Sequence, residues 1–398
     1  MSIRSVEIAE NLYYIGVNDR ETELFENMWP LPYGVAYNSY LLTGEKTCLM
    51  DTVKVSKSSE FVEDVTELMG DRDLDYLVIH HVEPDHSGSI PQILELYPNI
   101  KIVGNQKTKN MLYDYFELKL EDNFVLVEDG DELDLGDRKL TFYTTPMVHW
   151  PESMVSYDAQ NKILFSQDIF GGFGTVDGAI FDDQADYNSK RDEYRRYYTN
   201  IVGKYSKMAV RAIEKLSPLE IKTICPVHGI VWRENPARIV EDYTKWAKYE
   251  VEEGVVIAYA SMYGNTALMA DRLARYLAEE GIKNIEVIDI SKTHPSYIIS
   301  RVWEKKGLVL GACTYNNAAY PLMKNLIHLL SIQKMQNHVL GIFGSYGWSG
   351  GAVKDLLEFA KAPNFDTIET YVEAKGRMKA EDDQALRQMA KELKEKIK

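Results

Sequence analysis

The feature that constrains the fold most is a regular alternation of apolar runs, turns and amphipathic segments toward the C-terminus. Short apolar runs predict buried strands at 255–260, 284–289, 307–311, 338–344 and 367–373, with helical patterns between them and a last helix from Ala380. Strands that alternate with helices form a parallel sheet with both faces covered. Five such strands in about 145 residues predict an α/β domain built on a doubly wound parallel sheet.

The N-terminal part of the chain has a different texture, with short strands and turns and with helices in groups. Residues 37–52 predict a β-hairpin that turns at 43–46, and Ser58–Met69 predicts an amphipathic helix. The segment 75–80 predicts a buried strand. Further strands are predicted at 101–103, 123–127, 138–144 and 162–166, and helices within 191–216. This mixture predicts an α+β domain, and a boundary near residue 252 gives domains 1–252 and 253–398.

The charge balance and the cysteines exclude several classes of protein. The 398 residues hold 45 Lys and Arg against 61 Asp and Glu, a net charge of −16, which disfavours a nucleic-acid partner because phosphates would be repelled. No apolar window approaches the length of about 18 residues that a membrane helix needs, and no signal-peptide pattern is present. Cys48, Cys225 and Cys313 form no CxxC pair, which disfavours a disulfide framework. We therefore expect a cytoplasmic protein without a membrane partner.

Four potential metal ligands directly follow the predicted strand 75–80. His81, Glu83, Asp85 and His86 stand within six residues at a strand end, where side chains converge on a site. An acid-rich polar turn is the alternative interpretation of this segment taken alone.

Three more candidate ligands lie at or just past the ends of other predicted strands, namely His149, Asp168 and His228. Four of the eight histidines then stand at strand ends beside three carboxylates, a combination that favours a two-metal site. One metal would be held by His81, Glu83 and His149. The other would be held by Asp85, His86 and His228, with Asp168 as the bridge between them. Mixed His and carboxylate ligands with open positions favour redox-active iron, whereas neutral imidazole sets favour zinc.

Some neighbouring residues are assigned to packing or support. His80 ends the predicted strand, and strand alternation turns its side chain away from that of His81. Tyr194, Tyr197 and Tyr198 have helical spacing and can border the metal site, although an aromatic packing stripe explains at least two of them.

The C-terminal domain carries a candidate phosphate cradle where its first strand ends. Residues 261–266 supply hydroxyls, and Gly264 lets the backbone close around an anion at a helix N-terminus. A plain helix cap is the alternative for this loop alone. The loops 312–317 and 344–351 end at the same edge of the sheet, where doubly wound folds bind ligands.

A single phosphate cradle favours FMN over FAD, and Tyr315 or Trp348 can cover a face of the isoalloxazine ring. The candidate flavin contacts are Ser261, Met262, Tyr263, Gly264, Asn265, Thr266, Thr314, Tyr315, Asn316, Asn317, Ser345, Tyr346, Gly347, Trp348 and Gly350.

Together these motifs resemble those of the flavodiiron proteins, also called A-type flavoproteins. Residues 81–86 are similar to the H-x-H-x-D-H signature of the metallo-β-lactamase superfamily, with Glu83 in place of the second His. Residues 261–266 resemble the flavodoxin phosphate loop. The resemblance covers essentially the whole chain and implies a metallo-β-lactamase-like αβ/βα sandwich followed by a flavodoxin-like doubly wound sheet.

The resemblance also implies an activity. Family members reduce nitric oxide to nitrous oxide or dioxygen to water at two irons, and FMN resupplies the electrons. Because no CxxC pair occurs before Lys398, no rubredoxin domain is expected, and a separate donor would act, such as rubredoxin or the reduced deazaflavin of methanogen relatives. Relatives place each FMN against the partner's diiron site. We therefore expect a head-to-tail homodimer or a dimer of dimers.

Two other functions fit parts of the sequence. A dinuclear zinc hydrolase fused to a flavodoxin module would use the same ligand positions, but Glu83 disfavours it. An electron carrier with a metal-free docking domain would not need seven filled ligand positions. The choice between nitric oxide and dioxygen is not encoded in these motifs.

Overall fold

The computed structural model describes residues 4–120, 123–362 and 364–398. The chain divides into two compact units. The first comprises the residues up to Tyr198 together with Tyr205–Thr244, and the second comprises Thr199–Lys204 and Lys245–Lys398. The predicted boundary near residue 252, where the first strand of the second unit begins, stays a prediction. Among the described residues, every helix falls short of the length and apolar character that crossing a bilayer requires.

The first unit is built of short strands and amphipathic helices. Its strands are β1 (Val6–Ala9), β2 (Leu12–Tyr14), β3 (Val17–Asp19), β4 (Leu24–Phe25), β5 (Trp29–Pro30), β6 (Val35–Tyr37), β7 (Tyr40–Thr43), β8 (Thr47–Met50), β9 (Tyr76–Val78), β10 (Lys101–Gly104), β11 (Phe124–Leu126), β12 (Glu132–Asp134), β13 (Lys139–Thr144), β14 (Met154–Asp158), β15 (Ile163–Gln167) and β16 (Thr223–Pro226). Its helices are α1 (Ser58–Met69), α2 (Pro84–Ser87), α3 (Ile90–Leu96), α4 (Gln106–Phe116), α5 (Tyr187–Tyr197), α6 (Ser206–Leu216) and α7 (Pro236–Ala247).

Two mixed sheets form the framework of this unit. One has the order β1-β2-β7-β8-β9-β10-β11, antiparallel from β1 to β8 and parallel from β8 to β11. The other has the order β12-β13-β14-β15-β16 and is parallel only between β15 and β16. The two sheets share a core, in which the rings of Tyr40 on β7 and Phe165 on β15 lie 5.6 Å apart.

Local sequence patterns account for most of these elements. The predicted hairpin is present as the antiparallel pair β7 and β8. In α1, Phe61, Val65 and Met69 recur every fourth residue and are buried, so the helix packs one apolar face. The strand predicted at 75–80 ends earlier, at Val78, because the N–H of His80 donates to a carboxylate oxygen of Asp51 rather than to a neighbouring strand.

The second unit contains strands β17 (Glu252–Ala260), β18 (Ile285–Asp289), β19 (Lys305–Tyr315), β20 (Ala318–Ala319), β21 (His338–Tyr346) and β22 (Phe365–Lys375). Its helices are α8 (Asn265–Glu279), α9 (Pro295–Glu304), α10 (Pro321–Gln333), α11 (Ala352–Phe359) and α12 (Ala380–Ile397). The order β18-β17-β19-β21-β22 is parallel throughout, so the predicted doubly wound sheet is confirmed.

The core of the second unit explains why its C-terminal helix forms. Leu386, Met389 and Leu393 recur along one face of α12 and are buried in one cluster with Leu273 and Leu277 of α8. The direction of strand succession reverses at β17, between β18 and β19. This switch point opens a crevice at the carboxyl ends of the strands, where the predicted flavin loops lie.

Candidate functional site

The seven predicted metal ligands come together in one buried cluster. Their donor atoms form two groups, and within each group all atoms lie within 4.8 Å of one another: His81, Glu83, His149 and Asp168; and Asp85, His86 and His228. The structure therefore brings the seven nominated residues together, with Asp168 grouped beside His81, Glu83 and His149.

The short helix α2 and the residues just before it carry the first four ligands. Glu83 immediately precedes the helix, and Asp85 and His86 lie in its first turn. The hydroxyl of Ser87 donates to the carbonyl of Glu83 at 3.0 Å. The backbone N–H and the hydroxyl of Thr52 both donate to the carbonyl of His86, at 2.8 and 2.9 Å. These bonds fix the turn on which the ligands stand.

Asp168, the residue after β15, lies between the two groups. Its Oδ2 is 3.4 Å from Nε2 of both His81 and His149. Its Oδ1 is 3.4 Å from Nε2 of His86 and 3.5 Å from Nε2 of His228. Each oxygen thus faces one group, which is the arrangement that a bridging carboxylate requires.

The spacing in the second group fits a cation. Donor atoms that share one ion through bonds of about 2.1 Å lie about 3.0–3.4 Å apart. The Nε2 atoms of His86 and His228 are 3.1 Å apart, and they lie 3.3 and 3.4 Å from Oδ2 of Asp85. Both carboxylate oxygens of Asp85 are buried and have no hydrogen-bond partner among the described residues. A buried carboxylate of this kind is stable beside a positive ion.

In the first group, carboxylate oxygens lie close to the histidine rings. Oε2 of Glu83 is 2.9 Å from Nε2 of His149 and 3.2 Å from Nε2 of His81. Burial lowers the pKa of His81, but hydrogen bonds to Glu152 and Glu83 outweigh it and raise that pKa to about 10. Burial raises the pKa of Asp168, yet the surrounding histidines bring it well below its usual range. The histidines thus favour the ionised form of Asp168, which is the form that binds a metal.

His80 lies outside the cluster, as predicted. Its Nδ1 is 2.7 Å from Oδ2 of Asp51, and its Nε2 is 2.8 Å from the hydroxyl of Ser156. Both ring nitrogens are thus used in supporting the core between the sheets.

One of the three nominated tyrosines borders the site. The hydroxyl of Tyr197 donates to Oδ1 of Asp168 at 2.8 Å. The hydroxyl of Tyr194 instead accepts the N–H of Ile230 at 2.8 Å, and that of Tyr198 lies 2.8 Å from the hydroxyl of Ser206. These two residues support a loop and a helix, as the packing interpretation predicts.

Two polar side chains that the sequence does not nominate lie within hydrogen-bond distance of ligand side chains. Oε1 of Glu152 is 2.7 Å from Nδ1 of His81, and Nε2 of Gln167 donates to Oδ2 of Asp168. Glu152 follows His149 by three residues, and Gln167 directly precedes Asp168. Closeness in sequence to nominated ligands was the available signal.

The three predicted flavin loops line one open cleft of about 450 Å³, a volume typical of small-molecule sites. Every nominated flavin residue except Gly264 and Gly350 lines this cleft. Cys313, Ser349 and Gly376 line it as well, although the sequence analysis did not nominate them.

The two glycines act on the backbone around the cleft. Gly264 has φ +88° just before α8, and its N–H donates to the hydroxyl of Ser261 at 3.1 Å, which closes the turn. A Cβ on Gly350 would meet a carboxylate oxygen of Glu373 at 2.8 Å, so the loop packs closely there.

The lining of the cleft consists of hydroxyl, amide, aromatic and small side chains, and none of the described lining residues carries a charge. The hydroxyls of Thr266 and Ser345 lie 2.8 Å apart and join two of the loops. An anion in this cleft would be held by neutral donors and by the N-terminus of α8. The side chains of Tyr263 and Trp348 are both 89% exposed at its rim.

Comparisons with known proteins agree with this geometry. The model of the ODP family beta lactamase matches residues 35–229, and the flavodoxin model matches residues 257–392. A nitric oxide reductase from Moorella thermoacetica is 33% identical over 91% of both chains. The structure of rubredoxin oxygen:oxidoreductase from Desulfovibrio gigas has a TM-score of 0.95 and 32% identity, covering 99% of this chain and 98% of that one. A flavodiiron protein variant from Thermotoga maritima has a TM-score of 0.91 and 26% identity, covering 99% and 98%.

The chain belongs to the flavodiiron protein family. As a flavodiiron protein it is an oxidoreductase, and the predicted combination of a β-lactamase-like domain with a flavodoxin-like domain is confirmed. The flavodoxin domain implies FMN, and the His and carboxylate cluster is consistent with a diiron site.

Proposed function

We propose that this flavodiiron protein reduces nitric oxide to nitrous oxide, dioxygen to water, or both, at a diiron site that FMN supplies with electrons. The observation that carries the proposal is the position of Asp168 between two buried ligand groups. The names of two relatives support it, because one is a nitric oxide reductase and the other an oxygen:oxidoreductase with rubredoxin.

The ligand set fits two ferrous ions. One ion would be held by His81, Glu83 and His149, and the other by Asp85, His86 and His228, with Asp168 shared. When bound, the irons supply electrons and open coordination positions for the gas. The three carboxylates balance most of the charge of two divalent cations. Tyr197 fixes the orientation of the shared carboxylate by donating to its Oδ1.

The stoichiometry explains why one chain carries both cofactors. Two nitric oxide molecules take up two electrons and two protons to give nitrous oxide and water. One dioxygen takes up four electrons and four protons to give two waters. Two irons supply two electrons and a two-electron flavin supplies two more. One fully reduced chain therefore holds enough electrons for either reaction.

The flavin would lie in the cleft of the second unit. Its phosphate would bind residues 261–266 and the N-terminus of α8, while Tyr315 or Trp348 would cover the ring. We propose a separate donor of the rubredoxin type, since the name of the Desulfovibrio gigas relative includes rubredoxin. We place the protein in the cytoplasm, because Cys48, Cys225 and Cys313 are free and buried.

Metal analysis tests the proposed site. Protein purified without oxygen should contain two irons and one FMN per chain, and it should consume nitric oxide or dioxygen with a reduced donor. Stoichiometric zinc with full gas consumption would contradict the diiron assignment, whereas stoichiometric zinc without gas consumption would favour the zinc hydrolase. The variant Glu83→His should bind more zinc relative to iron than the wild type, because a neutral ligand replaces a carboxylate.

We also propose a head-to-tail homodimer in which each flavin serves the partner's diiron site. Tyr263 and Trp348 support it, because both are 89% exposed beside the flavin cleft and are available to a second copy. Mixing Thr266→Trp with His86→Ala under subunit exchange should restore activity, since one interface then pairs an intact flavin site with an intact metal site.

Mixing two metal-site variants, His86→Ala and His228→Ala, is the matched control and should restore nothing. Verified exchange of Thr266→Trp with His86→Ala chains, with activity no higher than that of the parents, would show that electrons pass within one chain. The cross-subunit arrangement would then be wrong, while the diiron proposal would stand.

A further inference from the structure

A carboxylate outside the ligand set supports one of the ligands from behind. Glu152 lies in the turn before β14, and its side chain is fully buried. Its Oε1 is 2.7 Å from Nδ1 of His81, and it also accepts the backbone N–H of Val82 at 3.0 Å. One oxygen therefore fixes both the ring of His81 and the backbone beside it.

The surroundings hold Glu152 rigidly. Its backbone carbonyl accepts a hydrogen bond from Nδ2 of Asn105 at 2.6 Å, and Oδ1 of Asn105 caps α4 by accepting the N–H groups of Lys107 and Thr108. The ring of Trp150 packs edge-on against His81, with centroids 5.0 Å apart. Glu152 is thus tied to a helix and cannot follow a change at the ligands freely.

The other oxygen of Glu152 is unusual. Oε2 is buried and has no hydrogen-bond partner among the described residues. Burying a carboxylate with one oxygen unpaired is strongly unfavourable unless a positive charge lies nearby. Glu152 faces His81. The positive charge that compensates its carboxylate must therefore lie on that ring or on an ion that the ring binds.

The comparison with two other ligand histidines shows that this support is unequal. Nδ1 of His228 is 2.8 Å from the backbone carbonyl of Ala36, which is a neutral partner. Nδ1 of His86 is buried and has no hydrogen-bond partner among the described residues. Of these three histidines, only His81 faces a carboxylate. His81 belongs to the first ligand group, whereas His86 and His228 belong to the second.

We infer that Glu152 is a positioning residue that makes the two metal positions unequal, so that the ion at His81 binds more tightly and is oxidised more readily than its neighbour. A carboxylate behind a ligand histidine fixes the ring and makes it a stronger donor. The added negative charge stabilises the more oxidised ion. This inference rests on the proposed diiron site and assigns different roles to its two halves.

The variant Glu152→Gln tests the inference because it keeps the shape and one acceptor oxygen but removes the charge. Anaerobic competition with a chelator should show one of the two ferrous ions bound about 10–100-fold more weakly, with the other unchanged. Mössbauer spectra should assign the change to one iron, and the potential of one iron couple should rise. The variant Glu152→Asp keeps the charge on a shorter side chain and should restore part of the affinity.

The matched control is Asp51→Asn. Asp51 makes the same kind of buried contact, 2.7 Å between Oδ2 and Nδ1 of His80, with a histidine that is not a nominated ligand. It should leave both ion affinities and both potentials near wild-type values. Equal weakening of both ions by Glu152→Gln, an equal effect of Asp51→Asn, or no effect of Glu152→Gln would each overturn the inference.

The design separates this inference from the proposed function. Wild-type protein that binds no iron refutes the diiron proposal, and the inference fails with it. Wild-type protein with two irons and gas turnover, together with unchanged ion affinities in Glu152→Gln, refutes the inference alone. If Glu152→Gln does not fold, as judged by circular dichroism and FMN binding, selective weakening of one ion by Glu152→Asp decides the question. Wild-type affinities for both ions in that variant, or equal weakening of both, would overturn the inference.

Discussion

The two domains treat buried polar groups in opposite ways. In the N-terminal domain, carboxylates such as Glu83 and Asp168 are buried against histidines, and the cluster is built around acidic groups. In the C-terminal domain, the flavin cleft is lined by neutral groups such as the paired hydroxyls of Thr266 and Ser345. The carboxylates of the metal site need a cation to balance their charge, whereas the neutral groups of the cleft can hydrogen-bond to one another. The metal site should therefore be sensitive to single changes, and the flavin site tolerant of them.

The largest effect is expected from Asp168→Ala, which removes the carboxylate between the two ligand groups. Two cations would then face each other without a shared anion. We expect loss of at least one iron and a fall in nitric oxide turnover of more than about 100-fold. Metal analysis and anaerobic turnover assays measure both. Asp183→Ala, which alters an exposed ion pair with Arg233, is the control. Full iron content and a full rate in Asp168→Ala would show that the metal site tolerates the loss of this carboxylate.

Thr266→Val should have a smaller effect, confined to the flavin. It removes one neutral hydroxyl from the cradle while keeping the side-chain shape. A hydrogen bond to a charged group contributes about 1.5–3 kcal/mol, so FMN should bind roughly 10–100-fold more weakly. Fluorescence titration of the flavin-free protein measures this, and iron content should not change. Thr367→Val, outside the cleft, is the control. Unchanged FMN affinity would remove Thr266 from the cradle.

His338 contrasts with the histidines of the metal site, because it is buried without a charged partner. This difference should appear in the pH dependence of stability. Its Nε2 is 2.9 Å from the carbonyl of Val302. Burial, aided by Lys306, lowers its pKa to about 4, below the 6.5 of an unfolded chain. Between these values the unfolded chain binds a proton that the folded chain does not. Stability is therefore fully present above about pH 6.5 and falls as the pH approaches 4.

Replacing His338 should flatten this dependence. From pH 7 to 5, the C-terminal domain should lose about 1–2 kcal/mol of stability in the wild type and markedly less in His338→Gln. Urea unfolding followed by FMN release measures the difference. His328→Gln, at an exposed histidine of α10, should behave like the wild type. The same pH slope in His338→Gln would show that other groups cause it.

Trp348→Ala should have the smallest effect. The side chain is 89% exposed, so its loss should change the stability of the flavin-free protein by less than about 0.5 kcal/mol. Stacking on the ring contributes about 0.5–1.5 kcal/mol, which sets the expected loss of FMN affinity. Urea unfolding and fluorescence titration check the two values. A loss of affinity beyond 100-fold would make Trp348 the main anchor and the flavin site as fragile as the metal site.

Both sites could be predicted from the sequence. All seven clustered residues are His, Asp or Glu at or near strand ends, and both the residue types and their places are visible in the chain. The flavin loops were found by position as well, because parallel strands present their carboxyl ends at one edge. Each prediction used a local pattern together with a general rule of sheet geometry.

The remaining features depend on packing that no local pattern encodes. Glu152 contacts His81 across 71 residues of sequence, and Gly376 enters the cleft from a loop that carries no motif. The early end of β9 results from one hydrogen bond to Asp51, a residue far away in the chain. The split of the units at Thr244 reflects which residues pack together. The predicted boundary near 252 rests instead on the change to a regular alternation of strand and helix patterns.

The wide spacing of the ligands has a consequence for how the protein is made. The metal set draws on the segments after β9, β13, β15 and β16, and its last member is His228. A chain still on the ribosome therefore lacks a complete set until nearly all of the N-terminal domain has been synthesised. The flavin loops are synthesised later still, and domains fold as units from the N-terminus. The order of synthesis thus gives iron the first opportunity to bind, before the flavin cleft exists.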